Sequence, residues 1–188
     1  MMDFKKDTTP HNWWAVENVF TKKHITALLK EFPEEEELEY SGKRDSNNDF
    51  RKFAKRGTKL GNVFKEWNNA QFKMHITDVT GVDMSQGQLR VELCMDGPGF
   101  WLETHADIPE KLMTLQVYLG KGEENWGTVL YSQPETVYKE LPFIENTGWL
   151  TVMGEPVLHG VPENLVDNWR KSVIINYVRD WRDTDQLW

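Results

Sequence analysis

The sequence predicts a mainly β fold with helices, an α+β arrangement in which a β sandwich or barrel carries helices packed on one side. Three observations predict it. Two stretches before residue 81 repeat apolar residues at helical spacing. From Leu89 onward the texture changes to short runs of strand-forming residues. Clusters of Gly, Pro, Asn and Asp separate those runs and mark turns. Helices first and then many short strands is the order expected when one face of a sheet is covered by helices. With 188 residues, no internal repeat and no low-complexity linker, the chain is expected to form one domain, residues 1–188.

Met1 to His11 is charged and polar and is expected to be a loose lead-in. Trp13 to Phe20 reads as a short strand. Thr21 is a natural N-cap, followed by Ile25, Leu28, Leu29 and Phe32 at helical spacing, with Pro33 expected to end the helix. Glu34 to Glu37 reads as a solvated acidic face, and Ser41 to Asp49 has the composition of an exposed loop. Ser41 to Lys59 reads as a surface loop, with a lid over an entrance as the alternative. A second helical pattern covers Leu60 to Thr80, with Val63, Phe64, Trp67, Phe72, Ile76 and Val79 as its stripe and Gly81 as its C-cap. Leu89 to Leu93 alternates strictly, as a strand does, and Met95 to Gly99 reads as a turn. Strand-like runs follow at Phe100–Thr104, Leu112–Leu119, Thr128–Ser132, Gly148–Met153, Val157–His159 and Ser172–Val178, with Gly154-Glu155-Pro156 as a tight connection.

Composition narrows the function classes. Hydrophobic content is 39%, on the low side for a compact fold, but nine Trp and nine Phe offset this because each buried ring removes a large apolar area. A net charge of −8 argues against gripping a nucleic acid through a broad basic surface. Cys94 is the only cysteine, so no intramolecular disulfide and no thiolate zinc site is possible, and a reducing, cytoplasmic compartment is expected. The N-terminus lacks the apolar stretch of a signal peptide, and no window approaches the length of a membrane span.

The residues that carry chemistry centre on His105-Ala106-Asp107. Residues i and i+2 of an extended chain project to one face, so an imidazole and a carboxylate point together. A His-x-Asp is common by chance, and a strand-end histidine bonded to a turn aspartate is the ordinary alternative; a third ligand is needed. His11 lies in the lead-in, His24 falls off the apolar stripe of the first helix, and His75 lies in the second helical pattern as a packing or surface residue. His159 ends an apolar strand run and precedes Gly160, which admits close approach of backbone or ligand. Two imidazoles and one carboxylate on one face of a metal form a facial triad, whose open positions suit non-haem iron(II) oxygenase chemistry. Arg170 and Ser172 share a face of the following extended run, where a guanidinium and a hydroxyl can clamp a carboxylate. The alternative for Arg170 is a structural pair with a surface acid such as Asp167 or Asp180.

The order His105-x-Asp107, His159, Arg170-x-Ser172 resembles the iron(II)- and 2-oxoglutarate-dependent dioxygenases. Thr114 to Leu119 resembles the strand after the His-x-Asp in prolyl-hydroxylase-like members, and Asn125 to Leu130 resembles their next turn and strand. Trp14 to Phe20 and the two helices resemble their N-terminal half. The resemblance implies a double-stranded β-helix, or jelly roll, as found in cupins, with helical support over about residues 12–85 and a core over about residues 86–180. It implies iron(II) on His105, Asp107 and His159, with 2-oxoglutarate as co-substrate and dioxygen as oxidant. Arg170, Ser172 and Tyr118 are implied to hold the far carboxylate of 2-oxoglutarate. The implied reaction is hydroxylation of a small molecule or a protein side chain, with release of succinate and carbon dioxide. Met95 stands where many prolyl-hydroxylase-like members have a tyrosine facing the cofactor. Asp107 argues against halogenation, and Asn176 stands where nucleic-acid demethylases place a second arginine. Arg90, Glu92 and Gln116 are polar residues on strands whose facing alternation alone does not decide. Trp101 and Trp126 are candidates for the cavity mouth, with packing as the alternative. Two other classes stay open: a cupin-like jelly roll that binds a metal or small acid without oxygen chemistry, and an interaction module displaying its tryptophans.

Overall fold

A computed structural model describes residues 2–8, 11–34, 50–154, 157–163 and 165–187. Among these described residues there are eleven strands in two antiparallel sheets, with three α-helices before residue 81. The strands are β1 Asp3–Asp7, β2 Trp13–Glu17, β3 Phe50–Phe53, β4 Gln88–Asp96, β5 Leu102–His105 and β6 Lys111–Leu119. They continue with β7 Val129–Gln133, β8 Thr136–Glu140, β9 Thr147–Val152, β10 Leu158–Val161 and β11 Arg170–Val178. The larger sheet has the order β1-β2-β9-β6-β11-β4-β3 and the smaller the order β5-β10-β7-β8. This mainly β, two-sheet arrangement with helices on the N-terminal side is the predicted class and is jelly-roll-like. Among the described residues no helix is long and apolar enough to cross a membrane.

The helices follow their caps. α1 (Lys22–Leu29) starts where the Thr21 hydroxyl accepts the His24 N–H at 3.2 Å, and buries Ile25 and Leu28. It stops at Leu29, four residues before Pro33, so the proline lies beyond the helix rather than ending it. The second helical stretch is broken. α2 (Lys59–Val63) gives way at Phe64 to a 3-10 turn over Lys65–Asn68, and α3 (Ala70–Thr80) restarts where the Asn69 side chain accepts the Phe72 N–H at 2.7 Å. The break lets Phe64 and Trp67 both reach Phe20, which periodicity along a single straight helix does not reveal. Gly81 caps α3 in the left-handed region, at φ 79°, as its position predicts.

Three strand readings are corrected. The lead-in contains β1, which pairs with β2 along its length; Asp-Phe-Lys-Lys-Asp shows no apolar alternation because an edge strand is held by its backbone and tolerates charge. β8 is likewise an edge strand, exposed except at Tyr138, and left no signal. β4 runs on through Cys94, Met95 and Asp96, so the turn begins only at Gly97. Of the acidic run at 34–37 only Glu34 is described. The loop at 41–49 lies outside the described residues, as do Glu155 and Pro156 of the tight connection. The end of the stretch read as loop or lid is structured: β3 pairs with β4 and brings Arg51 opposite Cys94.

The alternation of the central strands is resolved by what covers each face. Leu89, Val91, Leu93 and Met95 of β4, Leu115 and Val117 of β6, and Val173 and Ile175 of β11 pack with Leu28, Phe64, Trp67 and Ile76 under the helices. The intervening positions, Cys94 and Asp96, Thr114 and Gln116, Arg170 and Ser172, line a cavity between the two sheets. Met95 is therefore core and does not face the site. A second apolar cluster, with Trp13, Trp126, Phe143 and Trp149, packs beside the cavity and assigns Trp126 to packing.

Candidate active site between the sheets

β5 and β10 of the smaller sheet are antiparallel neighbours, and their register sets His159 directly across from His105. The two ring centroids are 4.3 Å apart. Gly160 makes this close pairing possible, because a Cβ there would stand 2.6 Å from the Leu102 carbonyl oxygen. Each imidazole is oriented in the same way: Nδ1 lies 2.9 Å from a backbone carbonyl two residues earlier, Glu103 for His105 and Val157 for His159. A carbonyl only accepts, so Nδ1–H donates, and the Nε2 lone pair of each ring is left for a ligand. Trp149 packs edge-on against His159, with centroids 4.7 Å apart. Burial, with lesser opposition from the Asp107 carboxylate, lowers the His159 pKa to about 4, so the ring is neutral at pH 7.

Asp107 lies just beyond β5 and lines the same cavity as both histidines. Burial alone would raise its pKa, but the Lys111 ammonium and the His159 ring outweigh it and hold the carboxyl below the usual range. Lys111 forms an ion pair with Oδ1, while Oδ2 is buried without a hydrogen-bond partner among the described residues. Among those residues no group of three His, Cys, Asp or Glu side chains is gathered tightly enough to hold an ion. The chemistry of the donor set nevertheless fits a divalent metal. Each imidazole engages a carbonyl through Nδ1, which turns Nε2 toward a ligand, and the Asp107 carboxylate has an oxygen without a partner among the described residues.

The opposite end of the cavity is cationic. Arg170 opens β11 at 1% exposure, its guanidinium 5.6 Å from the centre of the Tyr118 ring. Its Nη1 donates to Asp96 Oδ2 at 2.9 Å and its Nη2 to Thr128 Oγ1 at 3.5 Å; Nε is buried without a partner among the described residues. The partner of Arg170 is thus Asp96 of β4, not the surface acids Asp167 or Asp180. Asp96 also accepts from Arg51 Nη2 at 2.7 Å, so one carboxylate bridges two guanidinium groups. Ser172 lines the cavity and accepts from Gln116 Nε2 at 3.4 Å. Gln116 is held by Thr128 Oγ1 and Trp149 Nε1, both donating to its Oε1. The Tyr118 hydroxyl accepts the Thr128 N–H at 2.9 Å, and Tyr118 stands behind Arg170 rather than in the cavity wall. Arg90 and Glu92 pair with each other, and Arg90 lies between Phe53 and Trp181, away from the cavity. Cys94 lines the cavity, but burial raises its pKa and keeps the thiol protonated and unreactive.

The cavity has a volume of about 130 Å³ and carries three cations, Arg51, Lys111 and Arg170, against two carboxylates, Asp96 and Asp107. A second cavity of about 220 Å³ adjoins it and shares Asp107, Lys111 and Thr114. Sequence reasoning missed Asp96, Arg51, Thr128 and Lys111. For Asp96 the signal was present: the alternation of β4, carried three residues further, sets it on the face of Cys94. Gly97-Pro98-Gly99 masked it.

Neither a protein-family model nor a curated protein matches the chain by sequence. Comparison of structures does find relatives. A prolyl-4-hydroxylase from Pseudomonas putida superimposes with a TM-score of 0.66 at 15% identity, covering 93% of this chain and 96% of that one. The chain has the fold of the 2-oxoglutarate- and iron(II)-dependent oxygenases. HygX from Streptomyces hygroscopicus, solved with nickel and 2-oxoglutarate bound, shares it with a TM-score of 0.57 at 12% identity, over 90% of this chain and 83% of that one. A Trichoplax adhaerens prolyl hydroxylase, solved with a hypoxia inducible factor peptide, has a TM-score of 0.57 at 15% identity, over 88% of this chain and 83% of that one. At these identities the likeness is one of fold, and chemistry must be argued from the cavity.

Proposed function

We propose that this single-domain protein is a cytoplasmic 2-oxoglutarate-dependent dioxygenase that hydroxylates a small molecule or a peptide side chain. The observation that carries the reading is the cavity itself: paired imidazoles and a carboxylate at one end face a buried arginine at the other. His105, Asp107 and His159 would hold iron(II), and Arg170, with Ser172 and Thr128, would hold the far carboxylate of 2-oxoglutarate. The metal, when bound, supplies activation of dioxygen coupled to decarboxylation of 2-oxoglutarate, which yields succinate, carbon dioxide and a hydroxylated product.

The protein's own part is orientation and exclusion of water. The backbone carbonyls of Glu103 and Val157 lock the imidazole tautomers, as outer-shell partners of metal-binding histidines do. Asp107 would offer the metal its Oδ2, which has no hydrogen-bond partner among the described residues, while Lys111 holds Oδ1 and orients the carboxylate. Asp96 occupies Nη1 of Arg170, which leaves Nε and the weakly engaged Nη2 for an incoming carboxylate. Tyr118, behind the guanidinium, fixes its plane and supports the clamp rather than touching the co-substrate. The peptide bound by the Trichoplax enzyme makes a peptide one candidate substrate class, and a small molecule the other.

The reading is tested by adding iron(II) and 2-oxoglutarate anaerobically and recording the visible spectrum. A weak charge-transfer band that is lost in Asp107→Ala is expected. Absence of the band in the wild type, together with metal binding, would instead fit a cupin-like metal or acid binder without oxygenase activity.

A further inference from the structure

We propose that Gln116 is a positioning residue for the co-substrate: its amide turns the Ser172 hydroxyl proton toward the carboxylate that Arg170 binds. This role rests on the co-substrate reading above. Gln116 lies on β6, opposite Trp149 of β9 and Ile174 of β11, and lines the main cavity with Thr128, Ser172 and Arg170.

The chemistry of the partners fixes every proton in this cluster. The Trp149 indole N–H can only donate, so the Gln116 atom 3.1 Å from it is the carbonyl oxygen. That oxygen also accepts from Thr128 Oγ1 at 2.8 Å, which commits the Thr128 proton. A guanidinium has no acceptor, so Arg170 Nη2 donates to Thr128 Oγ1, at 3.5 Å. The Gln116 nitrogen donates to Ser172 Oγ at 3.4 Å. Donors therefore run head to tail from Arg170 through Thr128 and Gln116 to Ser172, each link polarising the next. Ser172 stands two residues from Arg170 on the same face of β11, so the relay returns to the cavity wall where it began.

One proton is left over. Ser172 is fully buried, accepts from Gln116, and donates to no group among the described residues. A hydroxyl whose oxygen already accepts offers its proton, and beside a guanidinium the acceptor that suits it is a carboxylate oxygen. The first and last links are long, which leaves Arg170 and Ser172 able to tighten onto a ligand, with Thr128 as the link between them. The position needs an amide. A glutamate of the same shape would accept from Trp149, Thr128 and Ser172 alike, and would turn the Ser172 proton away from the ligand.

The test is a double-mutant cycle on the full chain, loaded with Mn(II) and titrated with 2-oxoglutarate by calorimetry. Ser172→Ala should weaken 2-oxoglutarate binding about tenfold, the worth of one charge-assisted hydrogen bond. Gln116→Glu should weaken it roughly 10- to 100-fold, while Mn(II) affinity and Tm stay close to wild type. In the Gln116→Glu background, Ser172→Ala should cause no further loss. A second loss of about tenfold there means that Gln116 acts independently of Ser172 and overturns the proposal, as does unchanged 2-oxoglutarate affinity in Gln116→Glu. Loss of Mn(II) together with 2-oxoglutarate puts the effect on His159 through Trp149 and overturns it as well. Where Gln116→Glu does not fold, Gln116→Met takes its place, since it offers Ser172 neither donor nor acceptor. Its loss, about threefold, should overlap that of Ser172→Ala rather than multiply it, and independent losses or an unchanged affinity overturn the proposal. If the wild type binds Mn(II) but not 2-oxoglutarate, the co-substrate reading fails and this role with it. If 2-oxoglutarate binds and the cycle shows no coupling, only the role of Gln116 fails.

Discussion

His159 is the side chain on which the surroundings act most clearly. Its folded pKa, about 4, lies below the unfolded value of about 6.5. Between those values the unfolded chain binds a proton that the folded chain refuses, so stability is intact above pH 6.5 and falls as pH drops toward 4. The expected loss is of the order of 3 kcal/mol for the metal-free protein, and urea melts at pH 7 and 4.5 check it, with His159→Gln flattening the dependence. Arg170 and Asp96 make a second pair of expectations. If Arg170 holds the far carboxylate of 2-oxoglutarate as proposed, Arg170→Ala should raise the 2-oxoglutarate requirement roughly 10- to 100-fold, read as KM, while Mn(II) affinity is retained. Asp96→Asn takes the carboxylate away from the buried Arg170 guanidinium, while the half-buried Arg51 keeps Glu92, and should destabilise the fold by about 3 kcal/mol in denaturant titration. Both histidines and Asp107 were legible as a candidate set not from the His-x-Asp alone, which is common, but from its order with His159 and Arg170-x-Ser172 along the chain. Asp96 was not, since nothing local distinguishes an aspartate that bridges two arginines from one that starts a turn.

The strand pair β5 and β10 positions the two imidazoles, and its tolerance is small. Gly160→Ala would drive a Cβ into the Leu102 carbonyl, so β10 must move away from β5. A stability loss of about 1–3 kcal/mol and a clear fall in Mn(II) affinity are expected, measured by thermal melting and by calorimetry on the same samples. The helices show ordinary cap energetics instead. Asn69→Ala removes the side-chain acceptor that restarts the chain after the 3-10 turn, and should cost about 1 kcal/mol, or about 2–4 °C in Tm, without altering metal binding. Thr21 and Gly81 were readable as caps because capping is local chemistry. The break at Phe64 to Asn69 was not, because it is driven by the packing of Phe64 and Trp67 on Phe20, a residue more than forty positions away.

The two sheets and their helices form a layered body in which the central strands of the larger sheet, β6, β11 and β4, are covered on both faces. One face is the apolar core under the helices and the other is the wall of the cavity. Ligand binding should therefore stiffen the union of the two sheets, since the metal would join side chains of β5 and β10 while the co-substrate engages β11. Added Mn(II) and 2-oxoglutarate, each at about 100 times its Kd, should raise folding stability by about 2.7 kcal/mol per ligand, a gain reversed by a chelator for the metal.

Chain order, residue type and local spacing already announced a mainly β protein with early helices, and named the histidines, the aspartate and the arginine that end in one cavity. Those signals survive in one dimension because caps, turns and alternation are short-range. Facing, register and charge pairing were decided only in three dimensions. Alternation of period two does not say which face is core when both are buried, and no spacing rule can pair His105 with His159 or Arg170 with Asp96 until distant strands lie side by side.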